Sequence, residues 1–374
     1  MATSAVASVI SPAERLAWLR LVRSDNVGPV TFRQLLNRFG SAEAALEALP
    51  DLSRRTGRAL RIYSATQAED EMAGLQRYGA TLIIQNDSDY PPHLMHISGA
   101  PPVLTMAGGN RLDWRRTVGI VGARNASAAG AKMTRILAAD LGERGYTVVS
   151  GLARGIDTAA HRASLSTGTI AVLAGGFDQI YPSENIPLAH DILDNGGALL
   201  TEMPLGWEPR ARDFPRRNRI VSGLSLGIVV VEAAKRSGSL ITARLALEQN
   251  RDVFAVPGSP LDPRAEGGNH LIQQGAKLVT SAEDIIETIG SADPAQSALF
   301  DPEWRPELSI GATDTAPDPS DHARLLSALS TTPIEVDELI GQTGIAPHTM
   351  QMLLLEMDLA GQIEWSSGQL VALR

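Results

Sequence analysis

The sequence predicts an α/β protein built around a Rossmann-like, doubly wound and mainly parallel sheet. From Thr81 onward, short β-branched runs alternate with helical stretches. The run from Ile228 to Val231 is apolar throughout, which indicates a strand covered by helices on both faces. The region before this alternation has only helical patterns. The region after it has helical patterns followed by a hairpin-like one. We therefore expect an all-α domain before the sheet and a winged-helix domain after it.

Residues 1–80 are predicted to form the N-terminal helical domain. Apolar positions recur at helical spacing in AERLAWLRLV, TFRQLLNRF and SAEAALEAL, and the turn Ser24 to Pro29 separates the first two helices. A glycine turn between two short helices can present backbone amides to a phosphate, as in helix-hairpin-helix modules. An ordinary helical packing module fits the same pattern.

The central domain is predicted over residues 81–290, an acidic linker over 291–320 and the winged helix over 321–374. The linker region is rich in Pro, Asp, Ser and Ala. The last domain contains three predicted helices, ending at Leu359, and a hairpin that turns at Ser366-Ser367-Gly368. Because Arg324 and Arg374 are the basic residues of this domain, we expect it to contact protein or to be structural, ahead of contacting DNA.

The formal net charge of -9 is unevenly distributed. Residues 281–321 contain ten acids and one base, so the rest of the chain is neutral overall, and RARDFPRRNR at 210–219 contains five arginines. A local positive surface for a polyanion is therefore compatible with an acidic protein. The chain has no cysteine, no leader-like N-terminus and no long apolar run, so we expect a cytoplasmic protein without a membrane segment.

Glycine-rich segments follow three predicted strands, and two of them contain an arginine. Arg124 follows Gly122 in one segment, and Arg154 precedes Gly155 in another. At the strand ends of a parallel sheet, ligands bind where glycines allow the backbone to approach them closely. Guanidinium groups at such a position can recognise phosphate. A salt bridge from Arg154 to Asp157 is an alternative, although Asp157 is better placed to cap its own helix.

Two further segments have the residue types of a single-strand site. Phe214 stands next to a run of arginines, which suits base stacking beside a basic groove, although such a charge run can also be a solvated face. Lys235 leads into Ser237-Gly238-Ser239 at the start of a predicted helix, which gives a candidate phosphate contact.

The sequence contains no pattern that nominates a catalytic residue, a cofactor site or a metal site. The P-loop and G-x-G-x-x-G fingerprints are missing after the strands. Asp157 and His161 are one helical turn apart and could share a metal, but no third ligand is evident, so helix packing is the better interpretation.

The motifs VGIVGARNAS, VVSGLARGIDTAAHRASL, TIAVLAGGFDQIYPSEN, FPRRNRIVSGLS and VVVEAAKRSGSLITARLALEQNRDVFAVPG closely resemble the DNA processing protein A family, also called Smf. The resemblance extends from about Tyr90 to Ser281. More loosely, residues 19–46 resemble the family's sterile-alpha-motif-like domain and residues 325–365 resemble its winged helix.

The resemblance implies a non-enzymatic bacterial protein that binds and protects incoming single-stranded DNA and helps to load the RecA recombinase during natural transformation. It also implies a homodimer formed through the Rossmann-like domain. Carried onto this chain, the DNA-binding residues would be Gly122, Arg124, Ser150, Gly151, Arg154, Gly155, Arg210, Arg212, Phe214, Arg216, Arg217, Asn218, Arg219, Lys235, Ser237, Gly238 and Ser239. Arg210 or Arg212 stands near the position at which some members have a lysine.

The alternative function is that of a nucleotide or nucleoside-phosphate hydrolase of the lysine-decarboxylase-like Rossmann type. The same glycine-rich loops could hold one 5′-phosphate. The P-G-G-x-G-T turn of those enzymes is replaced here by KRSGSL at 235–240.

Overall fold

A computed structural model describes residues 11–55, 59–290, 318–366 and 370–374. The chain divides into two compact units, residues 71–301 and residues 1–70 together with 302–374. Most of the predicted acidic linker, residues 291–317, lies outside the described residues. Its end differs from the prediction, because Pro319 and Ser320 already belong to a helix that Asp318 caps.

The N-terminal helices are α1 (Pro12–Arg23), α2 (Pro29–Phe39), α3 (Ala42–Arg55) and α4 (Ala65–Gln76). Ser11 caps α1 by accepting a hydrogen bond from the Glu14 amide, and α2 ends at Gly40 in the left-handed region. The buried rings of Trp18 and Phe32 lie 4.8 Å apart, centroid to centroid, and join α1 to α2.

Within the described part of residues 71–301, nine strands form one sheet. They are β1 (Ala80–Ile84), β2 (Val103–Gly108), β3 (Thr117–Val121), β4 (Thr147–Ser150), β5 (Thr169–Val172), β6 (Ala198–Thr201), β7 (Gly227–Val230), β8 (Asp252–Ala255) and β9 (Lys277–Leu278). The helices of this unit are α5 (Pro92–Met95), α6 (Ala128–Glu143), α7 (Ile156–Ala163), α8 (Ile186–Asp194), α9 (Asp213–Leu224), α10 (Gly238–Glu248), α11 (Glu266–Gln273) and α12 (Ala282–Ile289), with a 3-10 helix at Ser183–Asn185.

The strand order is β1-β2-β6-β5-β4-β3-β7-β8-β9. All pairs from β6 to β9 in this order are parallel, and β2 is antiparallel to both of its neighbours. The chain moves from β3 outward to β6 and then returns to add β7, β8 and β9 on the other side. This confirms the predicted doubly wound, mainly parallel sheet.

The sheet is covered on both faces. Ile228 and Val230 belong to one buried cluster with α9 and α10, whereas Val229 and Val231 belong to the other with α6 and α12. Alternate side chains of a strand point to opposite faces, so an apolar run of this kind needs helices on both sides. The carboxyl ends of the central strands consequently form one open edge, where ligands bind in such folds.

The C-terminal elements are α13 (Pro319–Ala328), β10 (Ile334–Glu335), α14 (Val336–Thr343), α15 (Pro347–Leu359), β11 (Ile363–Ser366) and β12 (Leu370–Leu373). The three strands form a small antiparallel sheet in the order β10-β12-β11. This confirms the winged helix, although the residues of the predicted turn from 367 onward lie outside the described residues. No helix in the described parts of the chain is both long and apolar enough to cross a bilayer.

Candidate nucleic-acid interface

A cavity of about 320 Å³, called the pocket below, opens at the carboxyl edge of the parallel strands. It is built from the loops after β3, β4 and β5 and from the first two turns of α9. The lining residues are Arg124, Asn125, Gly151, Ala153, Arg154, Tyr181, Pro182, Phe214 and Arg217. The structure therefore brings five of the predicted site residues together from separate parts of the chain.

Arg217 forms the buried, cationic wall of the pocket and is only 5% exposed. Its Nη1 atom donates hydrogen bonds to the carbonyl oxygens of Gly151 and, at 2.8 Å, Val172. Burial lowers the pKa of Arg217 to about 10, and the nearby carboxylate of Asp157 opposes that shift. The guanidinium is therefore still charged at neutral pH, and it holds the β4 loop in place.

Asp157 and His161, one turn apart on α7, hold the loop after β4 through hydrogen bonds to its backbone. Asp157 Oδ2 accepts hydrogen bonds from the amides of Gly151 (3.1 Å) and Ala153 (3.3 Å). His161 Nε2 accepts from the Leu152 amide at 3.3 Å. Burial raises the pKa of Asp157 and lowers the pKa of His161 to about 3. The pair positions backbone groups, and the described residues contain no cluster of three His, Cys, Asp or Glu that could hold a metal ion.

The predicted capping role of Asp157 is wrong. The N-cap of α7 is Gly155, which has a φ of 73° and no side-chain cap. Asp157 lies inside the first turn, and its carboxylate reaches back to loop amides that precede the helix. A side chain on Gly155 would also place its Cβ atom 2.3 Å from the Ala123 carbonyl oxygen, so close contact between the β3 and β4 loops requires glycine there.

An exposed cation and two aromatic rings form the outer part of the pocket. The guanidinium carbon of Arg124 lies 5.2 Å from the centroid of the Phe214 ring. The Tyr181 ring meets Phe214 edge to face, with centroids 5.5 Å apart, and Tyr181 is 50% exposed. A flat base could stack against such rings while its phosphate contacts the arginines.

Sequence reasoning missed four lining residues, Asn125, Ala153, Tyr181 and Pro182. The Tyr-Pro pair lies within the third glycine-rich segment, AGGFDQIYPSEN. Because that segment follows a central strand, its aromatic residue was a signal for a partner of Phe214.

Arg154 lines the pocket but is already paired. Its Nε and Nη2 atoms contact the two carboxylate oxygens of Glu184 at 2.5 and 2.6 Å. The hydrogen bond and charge of Glu184 raise the pKa of Arg154. The alternative of a salt bridge to Asp157 is therefore incorrect, because that carboxylate is buried and occupied by the loop amides.

Two of the clustered arginines on α9 turn away from the pocket. Arg219 donates to the Gly99 carbonyl oxygen at 2.8 Å and forms an ion pair with Glu202, and Arg216 Nε lies 3.7 Å from the same carboxylate. Each residue advances a helix by about 100°, so Phe214 and Arg217 share the pocket face while Arg216 and Arg219 share the next.

Several further predicted residues lie outside the pocket lining. Ser150 is fully buried and donates to the Ile120 carbonyl oxygen at 2.7 Å. Lys235 lies 3.3 Å from Glu266, and Ser237 caps α10 by accepting from the Ser239 amide. Ser150 and Ser237 therefore stabilise the fold through these hydrogen bonds.

Four other predicted residues also lie outside the pocket lining. Asn218 Nδ2 donates to the Gly238 carbonyl oxygen at 3.4 Å. Arg210 covers the Trp207 ring at 5.1 Å, and Arg212 is exposed at the residue before α9. Gly122 belongs to the β3 loop, where a Cβ atom would lie 2.6 Å from the Ile156 side chain. Arg210 and Arg212 are both exposed, four and two residues before Phe214 in the chain.

The fold and the pocket together define a Rossmann-like protein of the nucleotide- or nucleic-acid-binding class. The model of the family described as DNA recombination-mediator protein A matches residues 81–290. The DprA-like N-terminal HHH domain matches residues 12–74, and the DprA winged helix domain matches residues 312–369. The chain belongs to this family of DNA-processing recombination mediators.

Individual relatives agree with this membership. Protein Smf of Escherichia coli strain K12 is 36% identical over 366 residues, covering 96% of this chain and 95% of that protein. DNA processing protein DprA of Bacillus subtilis strain 168 is 47% identical over 221 residues, covering 58% of this chain and 74% of that protein.

Two solved structures are similar in both fold and sequence. DNA processing protein A from Streptococcus pneumoniae has a TM-score of 0.54 and 37% identity, covering 66% of this chain and 82% of its own. DNA processing protein A from Helicobacter pylori, whose structure concerns its single-stranded DNA binding mode, has a TM-score of 0.51 and 28% identity, covering 56% and 95% respectively.

Proposed function

We propose that this protein binds single-stranded DNA in the pocket without regard to base sequence. The observation that supports this most directly is the meeting of Arg124 and Arg217 with the ring pair of Tyr181 and Phe214 in one cavity. Phosphates would contact the guanidinium groups, and a base would stack on the rings. The single-strand binding described for the Helicobacter pylori relative agrees with this proposal.

The experiment is a titration of labelled single-stranded and double-stranded oligonucleotides at several salt concentrations. Neutralising about four phosphates gives a slope of log K against log salt near -3, at roughly -0.7 per phosphate. We expect the single strand to bind more tightly, with a slope of this order. Equal affinity for both forms, or a flat salt response, would refute the proposal.

We further propose a cytoplasmic homodimer, formed through the Rossmann-like domain, that protects incoming DNA and helps to load RecA without catalysing a reaction. Family membership supports this proposal. RecA filament formation on protein-coated single strands tests the loading step. Incubation with nucleoside monophosphates tests the hydrolase alternative, because release of free base at enzymatic rates would favour that function.

We propose domains at residues 1–80 and 81–290, then a linker from residue 291, and a winged-helix domain that begins with α13 at Pro319 instead of at residue 321. Among the residues indicated by the sequence, we propose Arg124, Phe214 and Arg217 as primary DNA contacts, with Gly151 leaving the space that the Arg217 guanidinium occupies. Arg210, Arg212 and Lys235 would contact the strand as it leaves the pocket, since all three are exposed.

A further inference from the structure

Helix α15 is the second helix of a helix-turn-helix. The preceding helix α14 ends at Thr343, Gly344 adopts the left-handed conformation, and α15 begins at Pro347. In DNA-binding proteins of this kind the second helix enters the major groove. Here every residue from Met352 to Ala360 is buried, so the later part of α15 is covered over more than two turns, whereas Pro347, His348 and Gln351 nearer its start are exposed.

The burial arises because α15 has two packed faces. One face belongs to the winged-helix core and consists of Met350, Leu353, Leu354 and Met357. A second set of buried residues has the spacing i, i+3, i+4, i+7 and consists of Met352, Leu355, Glu356 and Leu359. Helix α15 contacts α2 and α3 of the N-terminal domain within the same compact unit. A helix that is apolar around its circumference requires such a second partner.

Specific polar contacts accompany this packing. Arg55 of α3 forms an ion pair with Glu356 at 2.7 Å, and its Nη2 atom lies 3.6 Å from the sulfur of Met352. Arg55 therefore joins the charged and the apolar parts of the interface.

The glycine turn between α1 and α2 also contacts α15. Thr31 Oγ1 donates to Asp358 Oδ2 at 2.5 Å. Asn26 Nδ2 donates to the Leu359 carbonyl oxygen at 2.7 Å. A carboxylate of α15 therefore meets the Thr31 hydroxyl in the first turn of α2, next to the glycine turn that the sequence suggested for phosphate.

These contacts are needed because the acids are desolvated. Burial raises the pKa of Glu356, against the charges of Arg55 and Arg38, and burial raises the pKa of Asp358, against its hydrogen bond from Thr31. Buried carboxylates are tolerated only with such partners. Arg55 and Thr31 thus provide the partners that the two buried acids of α15 require.

We infer that Asn26, Thr31 and Arg55 form a receptor surface for an acidic helix, and that α15 of the same chain occupies it. Asp358 meets Thr31 at the start of α2, and the face of α15 that holds Met352, Leu355, Glu356 and Leu359 packs with α2 and α3. This face of α15 therefore makes a protein contact and is closed to duplex DNA.

The absence of cysteine in the sequence allows a direct test in the full-length protein. Single-cysteine variants Met352→Cys, at the buried face, and Gln351→Cys, at an exposed neighbour, are labelled with a maleimide. We expect Met352→Cys to react at least about tenfold more slowly than Gln351→Cys, because labelling requires opening of the interface. Similar rates would overturn the inference.

Charge reversal then tests the ion pair. Arg55→Glu in the Met352→Cys chain should accelerate labelling, and adding Glu356→Arg should restore protection. Arg54→Glu is the matched control, because Arg54 pairs with Asp51 on the exposed side of α3 and should not change the rate. Additive effects of the two reversals, without rescue, would contradict the inference.

Duplex DNA provides the last test. Adding a double-stranded oligonucleotide should leave the labelling rate of Met352→Cys unchanged, because that face is already covered. A faster rate in the presence of duplex would show that DNA opens the interface and would overturn the inference. This result is independent of single-strand binding in the pocket, which is measured separately.

Discussion

The guanidinium of Arg154 is held by the carboxylate of Glu184 through two contacts, of 2.5 and 2.6 Å, at the pocket. Both side chains are about half exposed. Surface ion pairs of this kind are weak and are screened by salt. An incoming phosphate can therefore displace Glu184, but it must compete with a carboxylate that already neutralises this cation.

Glu184→Gln removes that competition. We expect the affinity for a single-stranded oligonucleotide to rise a few-fold, because Arg154 becomes available to phosphate. The salt slope should steepen by about 0.7, as for one more neutralised phosphate. Fluorescence anisotropy at several salt concentrations measures both quantities. Glu208→Gln, at an exposed position outside the pocket lining, is the control, and an unchanged affinity for Glu184→Gln would refute the competition.

Arg124→Ala should weaken single-strand binding and leave stability nearly unchanged, since Arg124 is exposed. Loss of one phosphate contact should make the salt slope shallower by about 0.7. Oligonucleotide titration and thermal unfolding check the two outcomes. The control is Arg135→Ala, an exposed arginine on α6 outside the pocket lining, for which equal loss of affinity would argue against a localised site.

Arg217→Ala should unfold the protein more readily as well as weaken binding. The substitution leaves the carbonyl oxygens of Gly151 and Val172 without this donor and removes the charge that faces buried Asp157. Leaving a buried acceptor without its donor costs about 1–3 kcal/mol. Urea unfolding measures the loss, and a change well below about 1 kcal/mol would contradict these buried hydrogen bonds.

Tyr181→Ala and Phe214→Ala should weaken binding with little change in the salt slope, because the rings stack and carry no charge. Stacking on an aromatic side chain contributes about 1–3 kcal/mol per base. Tyr181→Phe keeps the ring and should bind like the unmodified protein. If Tyr181→Phe weakens binding as much as Tyr181→Ala does, the hydroxyl group contributes to binding and stacking does not explain the loss.

His161 should make the protein less stable in acid. Its folded pKa of about 3 lies below the ordinary value of 6.5 because of burial, so the unfolded state binds the proton first. The stabilisation is complete above pH 6.5 and is lost progressively as the pH falls towards 3, amounting to about 2 kcal/mol between pH 7 and 5. Asp157, whose pKa is raised, acts in the opposite direction.

Comparison with His161→Gln isolates this contribution. Urea unfolding at pH 7 and pH 5 should show a smaller loss of stability on acidification for the variant than for the unmodified protein. Equal losses in both proteins would show that His161 is not the titrating group.

The periodicity and local composition of the sequence are sufficient to predict the fold. The alternation of apolar runs and helical segments predicts the doubly wound sheet, and glycines after the strands indicate the edge at which Arg124, Gly151 and Phe214 meet. These features are local, because strand burial and loop conformation depend on neighbouring residues. The resemblance to the family also depends on sequence alone, because it consists of a set of motifs in a fixed order.

Only the tertiary structure decides which charges are available. Arg154 and Arg216 look alike in sequence, yet each is paired with a carboxylate from a distant segment, Glu184 or Glu202. Tyr181 joins Phe214, and α15 is covered by α2 and α3, through contacts between residues that are far apart along the chain. Ion pairing, ring contact and burial depend on distances in space, and spacing along the chain does not specify those distances.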